Sequence, residues 1–159
     1  MRRACLAVLL ALAAATSSAG ELRPFTTDSL AAIRQQFAGR PFILTLWSLT
    51  CHHCAKELQT LGKLASSERN LPLVIVSTDT SDDARELRAA LKRHGLDRLD
   101  TWVFADAVPE RLRYAIDPSW RGELPRSYLF DVAHRREAHS GLLNEAQLKG
   151  WLNRQRAGG

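Results

Sequence analysis

The feature that most constrains this chain is a pair of cysteines placed where an apolar run meets a helical pattern. Cys51 and Cys54 follow the apolar run 42–47 and precede residues 55–65, whose apolar side chains recur at helical spacing. Unpaired N–H groups and the helix dipole at a helix start stabilise a thiolate. A C-x-x-C pair placed there lowers the thiol pKa below its free value of about 8.5. The pattern indicates thiol–disulfide exchange, with a metal site or a permanent bridge as alternatives.

The spacing of the two cysteines argues against a permanent structural bridge. A bridge across three residues closes almost no loop, so it adds little chain-entropy stabilisation. The third cysteine, Cys5, lies in the N-terminal segment 1–19, and the rest of the chain keeps only Cys51 and Cys54. A structural disulfide outside the cytosol normally joins distant segments. The position therefore favours a disulfide that is made and broken during function.

The N-terminus has the layout of a secretory signal peptide. Arg2 and Arg3 form a short basic start, residues 5–15 are apolar, and Ser17 and Ala19 are small residues placed for cleavage before Gly20. The apolar run is short for a membrane anchor, which needs about 20 residues. We expect residues 1–19 to be removed, residues 20–159 to form one domain, and the protein to be periplasmic.

Length and charge allow a single folded domain and argue against a nucleic-acid partner. The chain has 159 residues, which is enough for one domain with a real core. Basic residues exceed acidic ones by five over the whole chain, and by three once Arg2 and Arg3 are removed. That excess is too small to indicate a nucleic-acid partner.

The order of periodic segments predicts an α/β fold. Helices and strands alternate at first, which implies parallel strand pairs with right-handed crossovers, and two late adjacent strands imply an antiparallel hairpin. Residues 21–27 are expected to lead irregularly into a first helix that carries Ile33, and Asn144 with Gln147 forms a capping pair before the last helix. The predicted strands are 42–47, 72–77, 101–105, 127–130 and 137–140, and the predicted internal helices are 55–65, 80–95 and 109–114.

Two stretches carry a resemblance to a known family. Residues 47–58, with the sequence WSLTCHHCAKEL, resemble the active-site stretch of thioredoxin-fold proteins of the TlpA/ResA type. Residues 122–131, with the sequence GELPRSYLFD, are similar to that family's cis-proline loop and the strand after it. The resemblance covers residues 29–152. It implies a thioredoxin-like central mixed sheet flanked by helices, with an N-terminal helical extension, in an exported thiol–disulfide oxidoreductase.

Within the resemblance, each cysteine has an expected role. Cys51, first in the motif, is the expected nucleophile, and Cys54 is the thiol that resolves the mixed disulfide. His52 and His53 are expected to tune the site, because a nearby imidazolium favours the thiolate and makes the disulfide more oxidising. Exposed histidines without such a role are the alternative.

The substrate is expected to bind beside the second stretch. Pro125 would carry the cis peptide bond, and Leu124 would offer backbone groups for strand-like pairing with a partner chain. An ordinary turn proline is the alternative. The implied partners are protein thiols or disulfides and an unidentified redox partner, for which a membrane electron donor or acceptor is one option.

The sequence departs from the family pattern in two places, and from thioredoxin itself in a third. Thr50 stands where the family usually has tryptophan before the first cysteine, and the pair His52-His53 replaces a dipeptide that more often contains proline. Thr45 occupies the strand position where thioredoxin keeps a buried acid. We therefore expect proton handling that differs from the thioredoxin scheme.

Metal binding is the main rival function. The ligand types suit Cu(I) or Zn(II), but consecutive helical side chains point away from each other. A copper-delivery protein would need the cysteine pair and a distant histidine, namely His94, His134 or His139. Our interpretation assigns no metal and no cofactor. The direction of exchange, and a role in cytochrome c or copper-site assembly, stay open at this point, as does an interaction module with inert cysteines.

Overall fold

The fold is built on one six-stranded sheet with helices on both faces. The computed structural model describes residues 20–68 and 70–158, so the predicted signal peptide lies outside the described residues. The sheet order is β1-β4-β3-β2-β5-β6. The strands are β1 Leu22–Phe25, β2 Phe42–Trp47, β3 Leu73–Ser77, β4 Thr101–Phe104, β5 Arg126–Phe130 and β6 Arg136–Ser140. The helices are α1 Ser29–Gln36, α2 His52–Ser67, α3 Ala84–Arg93, α4 Pro109–Ile116 and α5 Glu145–Ala157, with a 3₁₀ turn at Ser81–Asp83.

The central position of β2 follows from its composition. All six of its residues are buried, as its continuous apolar run predicted. It pairs parallel with β3 on one side and antiparallel with β5 on the other. The late antiparallel hairpin of β5 and β6 is also confirmed. The thioredoxin-like mixed sheet predicted from the sequence is therefore the observed architecture.

The two faces of the sheet support separate cores. Side chains alternate along a strand, so Ile43 and Trp47 join one cluster while Phe42 and Leu44 join the other. The first cluster lies under α2, α3 and α5, and it includes Cys54. The second lies under α1 and α4. Because α2 covers a fully formed apolar core, its N-terminus is held in one place.

The N-terminal segment departs from the sequence prediction. Residues 21–27 were expected to be irregular, yet Leu22–Phe25 forms β1, which pairs parallel with β4 at the sheet edge. The strand is only four residues long and contains Pro24, which is tolerated only at an edge. Phe25 is fully buried and its ring stacks on that of Phe104. Burial of one aromatic ring thus fixes a strand that has no strong local pattern.

Two further features fix the helices. Asn144 and Gln147 cap α5 reciprocally, each backbone N–H donating to the other's side chain at 2.9 Å. Gly62 on α2 lies so close to the end of α3 that an added Cβ would be 1.8 Å from the carbonyl oxygen of His94.

Within the described part of the chain, every helix is too short or too polar to cross a bilayer.

Candidate active site

The two cysteines lie at the start of α2, where the chain leaves the carboxyl end of β2. Cys51 is the N-cap residue, and its Sγ accepts a hydrogen bond of 3.1 Å from the backbone N–H of Cys54. The two sulfurs form a disulfide. Cys51 is partly exposed, whereas Cys54 is fully buried. Of the two sulfurs, only that of Cys51 is therefore open to an external thiol, and the roles of nucleophile and resolving thiol stay predictions.

The sheet topology brings Pro125 to the same edge as the disulfide. Strand β5 runs antiparallel to β2, and Arg126 pairs with Leu46 near the carboxyl end of β2. Pro125 directly precedes β5, and the Leu124–Pro125 peptide bond is cis. Cys51 packs against the first core cluster, and Leu124 packs against both clusters. The predicted substrate-binding pair thus lies at the end of the sheet where β2 leads into Cys51.

Side-chain hydrogen bonds brace the loop that carries Pro125. The indole Nε1 of Trp120 donates to the carbonyl oxygen of Glu123 at 2.9 Å. The Glu123 carboxylate accepts from the Ser140 hydroxyl at 2.7 Å and from Arg126 at 3.2 Å. The loop is thereby fastened to both strands of the β5–β6 hairpin.

A buried carboxylate, Asp117, lies behind this loop. It is 3% exposed and accepts hydrogen bonds from Arg126, Arg136, the Tyr128 hydroxyl, and the backbone and hydroxyl of Ser119. Burial alone would raise its pKa, but these hydrogen bonds and the charge of Arg136 lower the pKa to about 2. Asp117 is therefore ionised at neutral pH.

A second buried carboxylate, Glu57, lies on α2 one turn after Cys54. It is 1% exposed and accepts from the Ser127 hydroxyl at 2.8 Å and the Leu143 N–H at 3.2 Å. Burial raises its pKa above the ordinary value, against the lowering effect of those two hydrogen bonds. The Thr45 hydroxyl contacts that of Ser127 at 2.9 Å. Thr45 on the strand is thus linked to Glu57 on the helix through the Ser127 hydroxyl.

The two histidines between the cysteines face solvent. His52 and His53 are both exposed in the first turn of α2, with their ring centroids 5.7 Å apart. They lie close to Cys51 because they directly follow it in the sequence. Their tuning role stays a prediction.

The distant histidines take other positions. Nε2 of His134 lies 3.0 Å from the carbonyl oxygen of Phe37, and Nε2 of His139 lies 3.3 Å from that of Leu142. His94 ends α3 beside α2. Over residues 20–68 and 70–158, no group of three or more histidine, cysteine or acidic side chains is arranged to hold a metal ion.

Three carboxylates of this region were missed from the sequence: Glu57, Asp117 and Asp79, which accepts hydrogen bonds from Ser48, Leu49 and Ser77. Glu57 had a detectable pattern, because it lies in line with Cys54 and Leu61 on the apolar face of α2. A charged residue on an apolar helical face indicates a buried acid. Asp79 and Asp117 lie in loops, and their partners are identified only by the folded structure.

Comparisons with known proteins give similarity in structure only. No protein-family profile and no curated protein sequence matches the chain. A secreted disulfide oxidoreductase of Mycobacterium tuberculosis, described as homologous to E. coli DsbE, has 16% identity and a TM-score of 0.60. The match covers 76% of this chain and 85% of that one.

Two further solved structures agree. A thioredoxin-related protein of Neisseria meningitidis serogroup B has 21% identity and a TM-score of 0.60, over 74% of this chain and 85% of that one. StoA from Bacillus subtilis has 18% identity and a TM-score of 0.54, over 72% and 84%. The fold and the site together define a thioredoxin-fold protein with a C-x-x-C disulfide at the start of α2.

Proposed function

We propose that this protein is an exported thiol–disulfide oxidoreductase that exchanges the Cys51–Cys54 disulfide with protein substrates. The observation that carries the proposal is a disulfide at a helix N-terminus with one sulfur accessible and the other buried. The similar fold of a secreted disulfide oxidoreductase supports both the activity and export. The proposed location in the periplasm rests on the signal-peptide pattern of residues 1–19.

The exchange proceeds through a mixed disulfide. A substrate thiolate attacks Sγ of Cys51, the Cys51–Cys54 bond breaks, and its electron pair leaves on the Cys54 sulfur. A second substrate thiolate then attacks the substrate sulfur of the mixed disulfide and releases Cys51 as a thiolate. The substrate is oxidised to a disulfide and the protein is reduced to a dithiol. The reverse sequence reduces a substrate disulfide.

Glu57 is suited to manage the proton of Cys54 during this cycle. The Cys54 thiolate forms in a fully buried, apolar position, where a charge is costly. Glu57 lies three residues further along α2, and burial raises the pKa of its carboxyl. A protonated Glu57 can give its proton to the leaving sulfur and recover it when the disulfide closes again.

The substrate chain is proposed to lie along the cis-proline loop. Leu124 and Pro125 would bind it by strand-like pairing at the edge of the disulfide. His52 and His53, protonated, would stabilise the Cys51 thiolate and make the site more oxidising. The finer roles, in cytochrome c assembly, copper-site assembly or general oxidation, require the natural partner to be known.

Redox titration against glutathione tests the activity and the histidine effect together. We expect equilibrium exchange at Cys51 with a potential clearly more oxidising than the thioredoxin value of about −270 mV. Replacing His52 and His53 with alanine should shift the potential in the reducing direction, and replacing the exposed Lys56 should not. A redox potential equal to that of thioredoxin would contradict the proposed effect of the histidines. Failure of the disulfide to exchange with glutathione would contradict the proposed function.

Partner capture and copper titration separate the remaining alternatives. Cys54→Ser should stall the mixed disulfide on Cys51 and retain substrates covalently, whereas Cys51→Ser is the matched control that should retain none. Tight stoichiometric copper binding against a competing chelator, without disulfide turnover, would instead favour a copper-delivery protein.

A further inference from the structure

The loop between β2 and Cys51 is held by a carboxylate from the neighbouring strand connection. Asp79 lies just beyond β3, and one of its oxygens accepts from the Ser48 hydroxyl at 2.8 Å. Its other oxygen accepts from the Leu49 N–H at 2.9 Å and from the Ser77 hydroxyl at 2.6 Å. A single side chain therefore grips two successive residues of the loop that leads to Cys51.

Counting donors fixes the direction of the next hydrogen bond. Ser48 has one O–H, which it donates to Asp79, so its contact of 3.0 Å with the Thr50 hydroxyl has Thr50 as donor. The Thr50 N–H also donates to the Ser48 hydroxyl oxygen, at 3.2 Å. Both donors of Thr50 are thereby directed toward Ser48. They are not available to the sulfur of Cys51.

The same loop sets the backbone of the nucleophile. The Cys51 N–H donates to the Ser48 carbonyl oxygen at 3.2 Å, and Cys51 takes the extended conformation of an N-cap residue. In that conformation its sulfur receives the Cys54 N–H. Any movement of Ser48 therefore displaces the sulfur from the helix terminus that stabilises its charged form.

We infer that Asp79 is a positioning residue for Cys51, acting through Ser48 and Thr50. The inference deepens the proposed function and rests on it. Thr50 stands where the resemblance led us to expect a tryptophan. A chain of hydroxyl groups ending on Asp79 holds this position in the present protein.

Charge and positioning predict opposite effects on the Cys51 thiol. A nearby carboxylate disfavours a thiolate, so removal of the charge alone would lower the thiol pKa. Loss of the hydrogen bonds would loosen the N-cap geometry and raise the thiol pKa, because the helix terminus would stabilise the thiolate less. The sign of the change therefore distinguishes the two roles.

The experiment measures the alkylation rate of Cys51 against pH in the fully reduced protein. Variants Asp79→Ala and Ser48→Ala remove the two ends of the first hydrogen bond, and Ser48→Ala leaves the carboxylate charge in place. Asp82→Asn is the matched control, because it removes an equal charge from an exposed position three residues away. Mass spectrometry confirms that the label is on Cys51, and thermal melting checks folding.

We expect Asp79→Ala and Ser48→Ala to alkylate more slowly near neutral pH, on the order of tenfold for a rise of one pKa unit, and Asp82→Asn to match the unmodified protein. A lowered thiol pKa in Asp79→Ala with no change in Ser48→Ala would mean a charge effect only, which overturns the inference. A lower melting temperature with an unchanged pH profile would mean a structural role only, which also overturns it.

The same measurements separate this inference from the function on which it rests. An unreactive Cys51 in the unmodified protein would overturn the proposed function. A reactive Cys51 whose pH profile is unaffected by either variant would overturn the positioning role alone. If Asp79→Ala does not fold, Ser48→Ala decides the question, because it keeps Asp79 and its bonds to Leu49 and Ser77.

Discussion

Glu57 and Asp117 are equally buried, yet their carboxyl groups behave in opposite ways. Glu57 is 1% exposed and has a raised pKa, whereas Asp117 is 3% exposed and has a pKa of about 2. The donors to the two carboxyl groups differ. Glu57 receives one hydroxyl and one backbone N–H, while Asp117 also receives the guanidinium groups of Arg126 and Arg136. Burial alone does not decide whether an acid holds its proton.

The contrast assigns the two acids different work. A carboxyl near the cysteines that gains and loses a proton can serve the chemistry of Cys54. A carboxylate that stays charged can hold two arginines and the loop before Pro125 in fixed positions.

Replacing Asp117 with asparagine should produce the largest loss of stability. The change takes from Arg136 its ion pair with Asp117, and it leaves Arg126, whose side chain is 11% exposed, paired with Glu123 alone. Breaking a buried ion pair from one side costs about 3–5 kcal/mol. Urea unfolding measures the loss, and Glu110→Gln is the control, since its exposed pair with Arg113 is worth under about 1 kcal/mol. A loss of unfolding free energy as small as that of Glu110→Gln would contradict a bracing role for Asp117.

Acid should erase part of the Asp117 contribution to stability. Its folded pKa of about 2 is below the ordinary 3.8, so its stabilisation is complete above pH 3.8 and is lost as pH falls toward 2. The shift corresponds to about 2 kcal/mol. The difference in unfolding free energy between the unmodified protein and Asp117→Asn should therefore narrow over this range. A constant difference in unfolding free energy would contradict the lowered pKa of Asp117.

Replacing Glu57 with glutamine should act in the opposite direction on stability. A raised folded pKa means that stability is complete below the ordinary value of 4.5 and falls as pH rises through the folded pKa. Glutamine removes that penalty, so Glu57→Gln should unfold at higher urea than the unmodified protein at pH 8 and at the same urea at pH 4. Disulfide exchange should nevertheless slow by about 10² or more, because the proton donor is lost.

That combination is what distinguishes a proton donor from a structural acid. If Glu57→Gln lowered stability at pH 8, Glu57 would resemble Asp117 and the contrast would fail. If stability rose without any loss of exchange rate, Glu57 would be a buried acid with no part in the chemistry. The exchange assay uses the same glutathione reaction at Cys51 for both proteins.

Removing the Tyr128 hydroxyl should have the smallest effect. Tyr128→Phe deletes one of the donors to Asp117, the hydroxyl at 3.1 Å, and leaves both arginines in place. The expected loss is about 1 kcal/mol in urea unfolding. Burial raises the pKa of Tyr128 to about 12, so the effect should not vary with pH across the neutral range. A loss as large as that of Asp117→Asn would shift the main role in the brace from the arginines to the tyrosine.

The sequence was sufficient for the parts of the fold with strong local patterns. Strand β2 matches its predicted bounds, and β5 with β6 forms the predicted hairpin, because burial and alternation are local properties. Strand β1 was missed because its stability comes from pairing with a strand far along the chain. Local pattern cannot report such pairing.

The candidate site shows the same division. The cysteines and Pro125 were found because adjacent residues define their motifs. Glu57 and Asp79 were missed because their partners are distant, with Ser127 seventy positions from Glu57 and Ser48 thirty-one from Asp79. Side-chain networks across a sheet become visible only once the strands are in register.

The close contact between Gly62 and His94 limits which substitutions this protein can accept at position 62. A mutational scan would find that position 62 tolerates substitution as poorly as a reactive residue does. The reason is that any side chain at this position must push aside a main-chain carbonyl. The helix that bears both sulfurs would shift with it. Intolerance at position 62 has a steric cause, namely the contact between two backbones. A screen that measures only survival would misassign position 62 as a catalytic position.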